Sequence, residues 1–366
     1  MALVASDNPD IVAQIMAMVQ LVLGHGGTIH PQARIEESDG DLRVVCAQQG
    51  QEGEPLFIIP NALLVPTDRL AWSTRDDRLE LLGEPAGLSA VQAELLALFI
   101  ALFNATGQLA RASAQGRMAL LRDERFAAQM AAIKPDMGWE RASPARDFLN
   151  SRVCSTDKVA PDQGLRTYLM PLVVFLNHHA GGSNFFRDGQ CQVAITRPTE
   201  TGECFIRYGK RRDPVDLALG YGFVDRASPF AQSVPVALEL AGFGRLELLG
   251  RDSGHVSGEV APQVSFAADG LTLSHFVIDT RAPGRELALL RLAMTASGRA
   301  RGLAAADVDR AIAAAPGAIL AANRARLAEF GAYLAGQADN PFAAMVAQAC
   351  GCQLANLAAV LEPRRA

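Results

Sequence analysis

Lysine is nearly absent: Lys134, Lys158 and Lys210 are the only three in 366 residues, and arginine supplies almost all of the positive charge. With abundant alanine, that balance is the composition of a GC-rich bacterial genome, so a bacterial source is expected. The charges sum to 34 − 39 = −5, which does not make a polyanion-binding surface, and nucleic acid is not an expected partner. No apolar run reaches the roughly 18 residues that span a bilayer. Residues 1–10 carry no basic stretch followed by an apolar one, so neither a membrane partner nor a signal peptide is expected. Cys46, Cys154, Cys191, Cys204, Cys350 and Cys352 are scattered through a chain large enough to fold without staples. They read as the reduced thiols of a cytoplasmic protein rather than a disulfide framework. GxxxxGK[ST], GxGxxG after a strand, HExxH and GxSxG are all missing, so phosphate-loop, Rossmann, zincin and esterase readings lack their signatures. Cys350-Gly-Cys352 has no second pair nearby and reads as plain thiols rather than half a zinc site. His178 and His179, adjacent on an extended segment, point opposite ways and make a poor metal pair; no metal is expected.

What remains is a chain with 49% apolar and 20% charged residues, enough for two domains or one large domain with an insertion. Asn8-Pro9 offers a cap and a first-turn proline. Behind it Ile11, Ile15, Met18, Val19 and Val22 recur at helical spacing, and Gly24, Gly26 and Gly27 end the helix. Short β-like runs follow at 42–47 and 56–60. Ser89 with Gln92 forms a capping box, and Leu95, Leu96, Leu98, Phe99, Leu102 and Phe103 leave almost no polar face, as in a buried helix. One more polar helix is expected over 108–132 and a loop over 135–144. Strands return at 192–196, 204–208, 234–240, 264–267 and 271–277, and alanine-rich helices take over from Pro283, the last capped by Asn340-Pro341. Helix, strands, helices, strands, helices, without strand–helix alternation, argue for an α+β fold rather than a doubly wound sheet.

Three middle segments carry the chemistry. They are Phe148-Leu149-Asn150-Ser151-Arg152-Val153, then the apolar run at 171–176 ending in Asn177-His178, then Cys204-Phe205-Ile206-Arg207-Tyr208-Gly209 continuing to Leu217-Ala218-Leu219-Gly220-Tyr221-Gly222-Phe223. Singly each has a bland reading: a surface pair, a strand exit, two packed phenols. Taken in order they resemble SET-domain methyltransferases, nearest the subgroup typified by the Rubisco large-subunit lysine methyltransferase. There an SR dipeptide, an NH dipeptide, a tyrosine ending a strand and an LALxYGF segment follow one another. The Gly26-Gly27 turn and the hairpin into Ile59-Pro60 resemble that subgroup's opening.

The resemblance implies a knot-like SET domain of several small sheets over 1–282, with a helical insertion at about 73–140, and a helical C-terminal domain over 283–366. It implies S-adenosylmethionine (AdoMet) as cofactor. Arg152 would contact its carboxylate, Ser151 beside it would also bind the cofactor, Asn177 and His178 would line its pocket, Tyr208 would bind it and stand as the catalytic phenol beside the transfer channel, and Tyr221 would wall the acceptor site. A protein lysine is the expected acceptor. Histidine, an N-terminal amine, a peptide or a small metabolite, or a module that no longer transfers methyl groups, stand as alternatives. Three departures bear on this. The Gly-x-Gly of the first hairpin is matched by Asp41 and Arg43, whose side chains either crowd the cofactor or belong to a shifted hairpin in which Gly40 does part of the work. Val174 stands where many relatives have aspartate. The segment 251–256, with His255, has no counterpart.

Overall fold

The computed structural model describes residues 3–46, 54–135, 143–156, 166–183, 185–195, 202–209, 211–250 and 262–362. The segment 251–256 and most of the loop expected at 135–144 lie outside them. The fold is α+β, and among the described residues the strands form seven sheets of two to four strands each. The chain divides into two compact units, residues Met1–Met118 with Ala142–Gly209, and Ala119–Arg141 with Lys210–Ala366.

Unit 1 begins as its local signals dictate. Asn8 Oδ1 accepts the Asp10 N–H at 3.0 Å and starts the helix Pro9–Gly24. The apolar stripe Ile11, Ile15, Met18, Val19 and Val22 is buried, as its spacing requires. Gly26 at φ +82° stops the helix, and Gly27 has no room for a side chain against the Ile58 carbonyl, 2.6 Å from where its Cβ would lie. The chain then enters an antiparallel sheet ordered Phe186–Asp188, Cys191–Ile195, Pro55–Pro60, Thr28–Ile29. A second sheet holds the hairpin Ala33–Ser38/Asp41–Cys46. The capping box at Ser89 and Gln92 is complete, with both side chains bonding the other's backbone N–H. It opens the helix Ala90–Ala105, whose Phe99 and Phe103 stack at 5.9 Å inside the unit 1 core. Truncating either ring would cost about 3–5 kcal/mol.

The helix expected over 108–132 is three helices, Gln108–Ala114, Arg117–Leu121 and Glu124–Ile133. Gly116 at φ +77° breaks the first, and Asp123, accepting the Arg125 and Phe126 N–H groups, caps the third. Helical spacing survived both breaks and hid them. The strand expected over 271–277 is likewise two, Gly270–Ser274 and Val277–Asp279, parted by His275 at φ +56°.

Unit 2 packs the strands Phe230–Gln232 and Val277–Asp279, the sheet Val236–Leu240, Gly244–Leu248, Gly270–Ser274, Gln263–Phe266, and the helices Gly284–Ala300, Ala305–Ala335 and Pro341–Leu361 on one core. The boundary expected at 282/283 falls inside this unit, because Ala231 and Ile278 on strands share that core with Leu290, Met294 and Val346 on helices. The expected insertion at 73–140 is also divided: the hairpin Trp72–Arg75/Arg78–Leu81 belongs to unit 1 and the helix Glu124–Ile133 to unit 2. Among the described residues one helix, Pro341–Leu361, is long and apolar enough by length and composition to cross a bilayer. Here its inward face, Phe342, Val346, Ala349, Gln353 and Leu357, is buried in unit 2.

Candidate functional site

The site of unit 1 is built around its first hairpin. Asp39 and Gly40 form a two-residue turn with both φ angles positive, +53° and +79°, and Ser38 faces Asp41 across it. This backbone matches the twist of paired strands and favours Asp-Gly. Only glycine fits at position 40, since a Cβ would collide with the Thr106 carbonyl. Gln108, at the start of its helix, donates Nε2 to the Gly40 carbonyl at 2.9 Å and pins the turn. Strand alternation sends Leu42, Val44 and Cys46 into the core and Asp41 and Arg43 outward. Asp41 Oδ1 accepts from Arg111 Nη2 at 3.0 Å, and Arg43 pairs with its cross-strand neighbour Glu36 at 2.8 Å. With side chains 82% and 52% exposed, neither residue fills the inside of the hairpin.

Ser151 and Arg152 close the helix Pro144–Asn150, which Ser143 opens by accepting the Arg146 N–H. Ser151 Oγ turns back to the Phe148 carbonyl at 2.8 Å. The Arg152 guanidinium lies on the Phe148 ring, 3.7 Å from its centroid. One nitrogen donates to the Phe148 carbonyl and to Ser151 Oγ at 3.0 and 2.7 Å. The other two fork onto Gln108 Oε1 at 3.2 and 2.9 Å. All these acceptors are neutral. Burial pushes the guanidinium down to about 10, against the nearby Tyr208 phenol and the Asp41 and Asp147 carboxylates, which favour its charge; Arg111 adds to the depression.

Asn177 begins a strand rather than ending one. The apolar run before it holds Leu172 at φ +63° and a short 3₁₀ turn, Val173–Phe175, and the strand is Asn177–Ser183. It runs parallel to Phe205–Ile206, with Asn177 opposite Phe205 and His178 opposite Ile206. Gly182 lets the two approach, because a Cβ there would lie 2.8 Å from the Ile206 backbone. Asn177 Nδ2 donates to Glu203 Oε1 at 2.9 Å and to the Leu42 carbonyl of the hairpin at 3.4 Å. His178 Nδ1 accepts the Tyr208 backbone N–H at 2.9 Å, which requires that nitrogen to be unprotonated. The two rings lie 5.2 Å apart, and the Tyr208 hydroxyl donates to the Leu176 carbonyl at 2.9 Å.

Ser151, Arg152, Asn177, His178 and Tyr208 are therefore joined through Gln108, the hairpin residues 40–42 and the paired strands of one unit. Sequence reasoning missed Gln108, Arg111 and Glu203. They stand 44, 70 and 26 residues from the partners they hold, and no spacing rule reaches that far.

Tyr221 lies in unit 2, at the end of the helix Pro214–Tyr221, where Gly222 at φ +78° turns the chain. Its ring centroid is 6.3 Å from that of Phe223. Asp213 caps the helix by accepting the Asp216 N–H at 2.8 Å. Lys134 Nζ bonds Asp213 Oδ2 at 2.5 Å and Asp216 Oδ1 at 2.9 Å, and Gln353 Nε2 adds a bond to Asp213 at 3.3 Å. Burial works against the charge on Lys134, but the two carboxylates outweigh it and hold the amine above its ordinary value. Burial, and then the Asp216 charge, raise Asp213.

Cys350 and Cys352 sit two residues apart on the helix Pro341–Leu361, so their side chains diverge, and burial pushes the Cys350 thiol up to about 12. His179 Nδ1 takes the Gly181 N–H. Among the described residues no group of three or more His, Cys, Asp or Glu is arranged to hold a metal ion.

No protein-family model and no curated protein matches this chain. Among solved structures it is similar to the SET domain of LSMT bound to lysine and AdoHcy, at 12% identity and a TM-score of 0.43, over 96% of this chain and 91% of that one. It is similar also to the SET domain of LSMT bound to methyllysine and AdoHcy, at 12% identity and 0.45, over 98% and 92% of the two chains. A third is Rubisco LSMT bound to AdoMet, at 13% identity and 0.42, over 95% and 91%.

Proposed function

We propose that this chain is an AdoMet-dependent N-methyltransferase whose acceptor is the side-chain amine of a protein lysine. The observation that carries the reading is the contact path within unit 1 from Arg152 through Gln108 and the hairpin to Asn177, His178 and Tyr208. The SR, NH and tyrosine motifs of one family are thus neighbours around one backbone turn. The donor set suits the cofactor. Arg152 is a half-buried cation whose acceptors are all neutral, and a carboxylate is a stronger acceptor for its fork than the Gln108 amide. Asp41 and Arg43 turn their side chains outward and do not fill the hairpin.

When bound, AdoMet supplies an electrophilic methyl group on a sulfonium. Arg152, with Ser151 fixing one of its nitrogens, binds the carboxylate; Asn177 and the backbone around His178 line the adenosine. His178 holds the Tyr208 backbone, and the phenol O–H donates its hydrogen bond to the Leu176 carbonyl, so the Tyr208 oxygen is oriented to accept from the incoming amine. That amine reacts only when neutral, and lysine's reference pKa is about 10.4. Alignment and exclusion of water are the contributions asked of the protein.

Labelled AdoMet incubated with the purified chain and bacterial lysate is expected to label protein at lysine, and Tyr208→Phe to cut the rate by about 10²-fold or more. Label entering histidine or small-molecule fractions instead would move the acceptor to the alternative class. Labelling equal in wild type and Tyr208→Phe would overturn the proposed site.

A further inference from the structure

The hairpin carries two charged residues where the resembled family has glycine, and one of them stands in an unusual setting. Asp41 Oδ1 is bonded to Arg111 Nη2 at 3.0 Å, and Arg111 Nη1 is anchored on the Thr106 carbonyl, also at 3.0 Å. The preceding residue, Gly40, shares the Gln108 side chain with Arg152: Nε2 goes to the Gly40 carbonyl and Oε1 to the guanidinium. One amide therefore spans the distance between the Asp41 turn and Arg152. Asp41 and Arg111 both act electrostatically on Arg152, so two cations and one anion gather at this edge of unit 1. Asp41 Oδ2 has no partner among the described residues.

We infer that Asp41, steadied by Arg111, binds the ammonium of an α-amino-acid group whose carboxylate is taken by Arg152. The inference rests on the methyltransferase reading, and deepens it: the side chain that replaces glycine becomes a recognition element for the methionine end of the cofactor. The chemistry is that of a zwitterion. Its carboxylate and ammonium are carried on the same carbon, so their partners must be a cation and an anion held within a few ångströms of each other by one rigid frame. The hairpin turn and the Gln108 bridge provide that frame. An exposed Asp–Arg pair alone contributes about 0–1 kcal/mol to stability, so folding places little demand on Asp41. Charge-assisted contacts to a ligand are stronger, and Arg111 fixes the carboxylate rotamer before the ligand arrives.

The test is calorimetric titration of the full chain with two probes: S-adenosylhomocysteine, which carries the amino-acid end, and 5′-methylthioadenosine, which lacks it. Asp41→Asn is isosteric and exposed, so it tests charge without disturbing the core. It is expected to weaken S-adenosylhomocysteine by about 10–100-fold and to leave 5′-methylthioadenosine within about 2-fold. Asp41→Gly, which restores the family's residue, is expected to do the same. If wild type binds S-adenosylhomocysteine and Asp41→Asn binds it equally well, the assignment of Asp41 is overturned and the methyltransferase reading stands. Equal weakening of both probes overturns it too, because Asp41 would then be shaping the hairpin. A wild type that binds neither probe at millimolar concentration removes the methyltransferase reading and this inference together.

Discussion

Lys134→Met tests the buried polar network of unit 2. Lys134, Asp213 and Asp216 are 3%, 0% and 0% exposed, and one ammonium serves two carboxylates at 2.5 and 2.9 Å. Removing one partner of a buried pair costs about 3–5 kcal/mol, since the charge left behind has neither water nor a counter-ion. Methionine fills the space of the lysine stem, so lost packing adds little, and two carboxylates, rather than one, lose their shared ammonium. The expected loss at pH 7 is therefore about 4–5 kcal/mol. It should be pH-dependent. Asp213 is raised above its ordinary 3.8 in the fold, so the folded state binds its proton more tightly than the unfolded chain. Its contribution is full below 3.8 and is lost as pH rises through the folded value. Lys134, raised above 10.5, contributes fully below 10.5 and is lost as pH climbs past its folded value. The contribution of these two groups should thus fall from acid toward neutrality and then hold until strong alkali, while Asp123 and Asp279, held low by hydrogen bonds from Tyr333 and Arg281, act in the opposite sense at low pH. Without Lys134 the carboxylates rise further, and the deficit should shrink on acidification by up to about 1.4 kcal/mol per pH unit for each proton taken up. Urea denaturation followed by circular dichroism measures the loss, and hydrogen exchange of peptides from Pro214–Tyr221 and Pro341–Leu361 assigns it to unit 2. A loss under about 1 kcal/mol at pH 7, or one equal at pH 5 and pH 7, would refute the reasoning.

Two further perturbations separate causes cleanly. Gly40 and Gly83 share φ +79°, but a Cβ at Gly40 meets the Thr106 carbonyl while nothing lies within 4 Å of one at Gly83. Gly83→Ala should cost about 1 kcal/mol, the left-handed penalty alone, and Gly40→Ala about 2–4 kcal/mol, measured by chemical denaturation; equal costs would mean that the turn can move away from the helix. Cys350, buried and with its thiol pushed up to about 12 by that burial, should resist a disulfide reagent at pH 8 until the chain unfolds. Rapid labelling of Cys350 in the native protein would contradict the burial found for it.

Local structure was legible wherever one short stretch carries its own signal. Asn8-Pro9, Ser89 with Gln92 and Asn340-Pro341 each start a helix at the residue their side chains nominate, because a cap is satisfied within three residues. The buried stripe from Ile11 to Val22 is periodicity and nothing more. Legibility failed where regular spacing ran across a backbone reversal: Gly116 and His275 at positive φ cut one expected helix and one expected strand, and Leu172 turned an apolar run into a 3₁₀ turn. The motifs Ser151-Arg152, Asn177-His178 and Tyr208 could be picked out in order, and five of the six expected site residues, all but Tyr221, are joined within unit 1 around one hairpin. What holds them there could not be foreseen. Hydrophobic pattern and capping are local in the chain, whereas the bonds from Arg152 to Gln108, Asp41 to Arg111 and Asn177 to Glu203 span 44, 70 and 26 residues. The same holds for the division into two units. Composition does not change at residue 118 or 209, and only the sharing of one core by strands such as Phe230–Gln232 and helices such as Gly284–Ala300 draws the line there. Side-chain periodicity along the chain decided which faces are apolar; which faces meet was decided by packing in three dimensions, where residues far apart in order become neighbours.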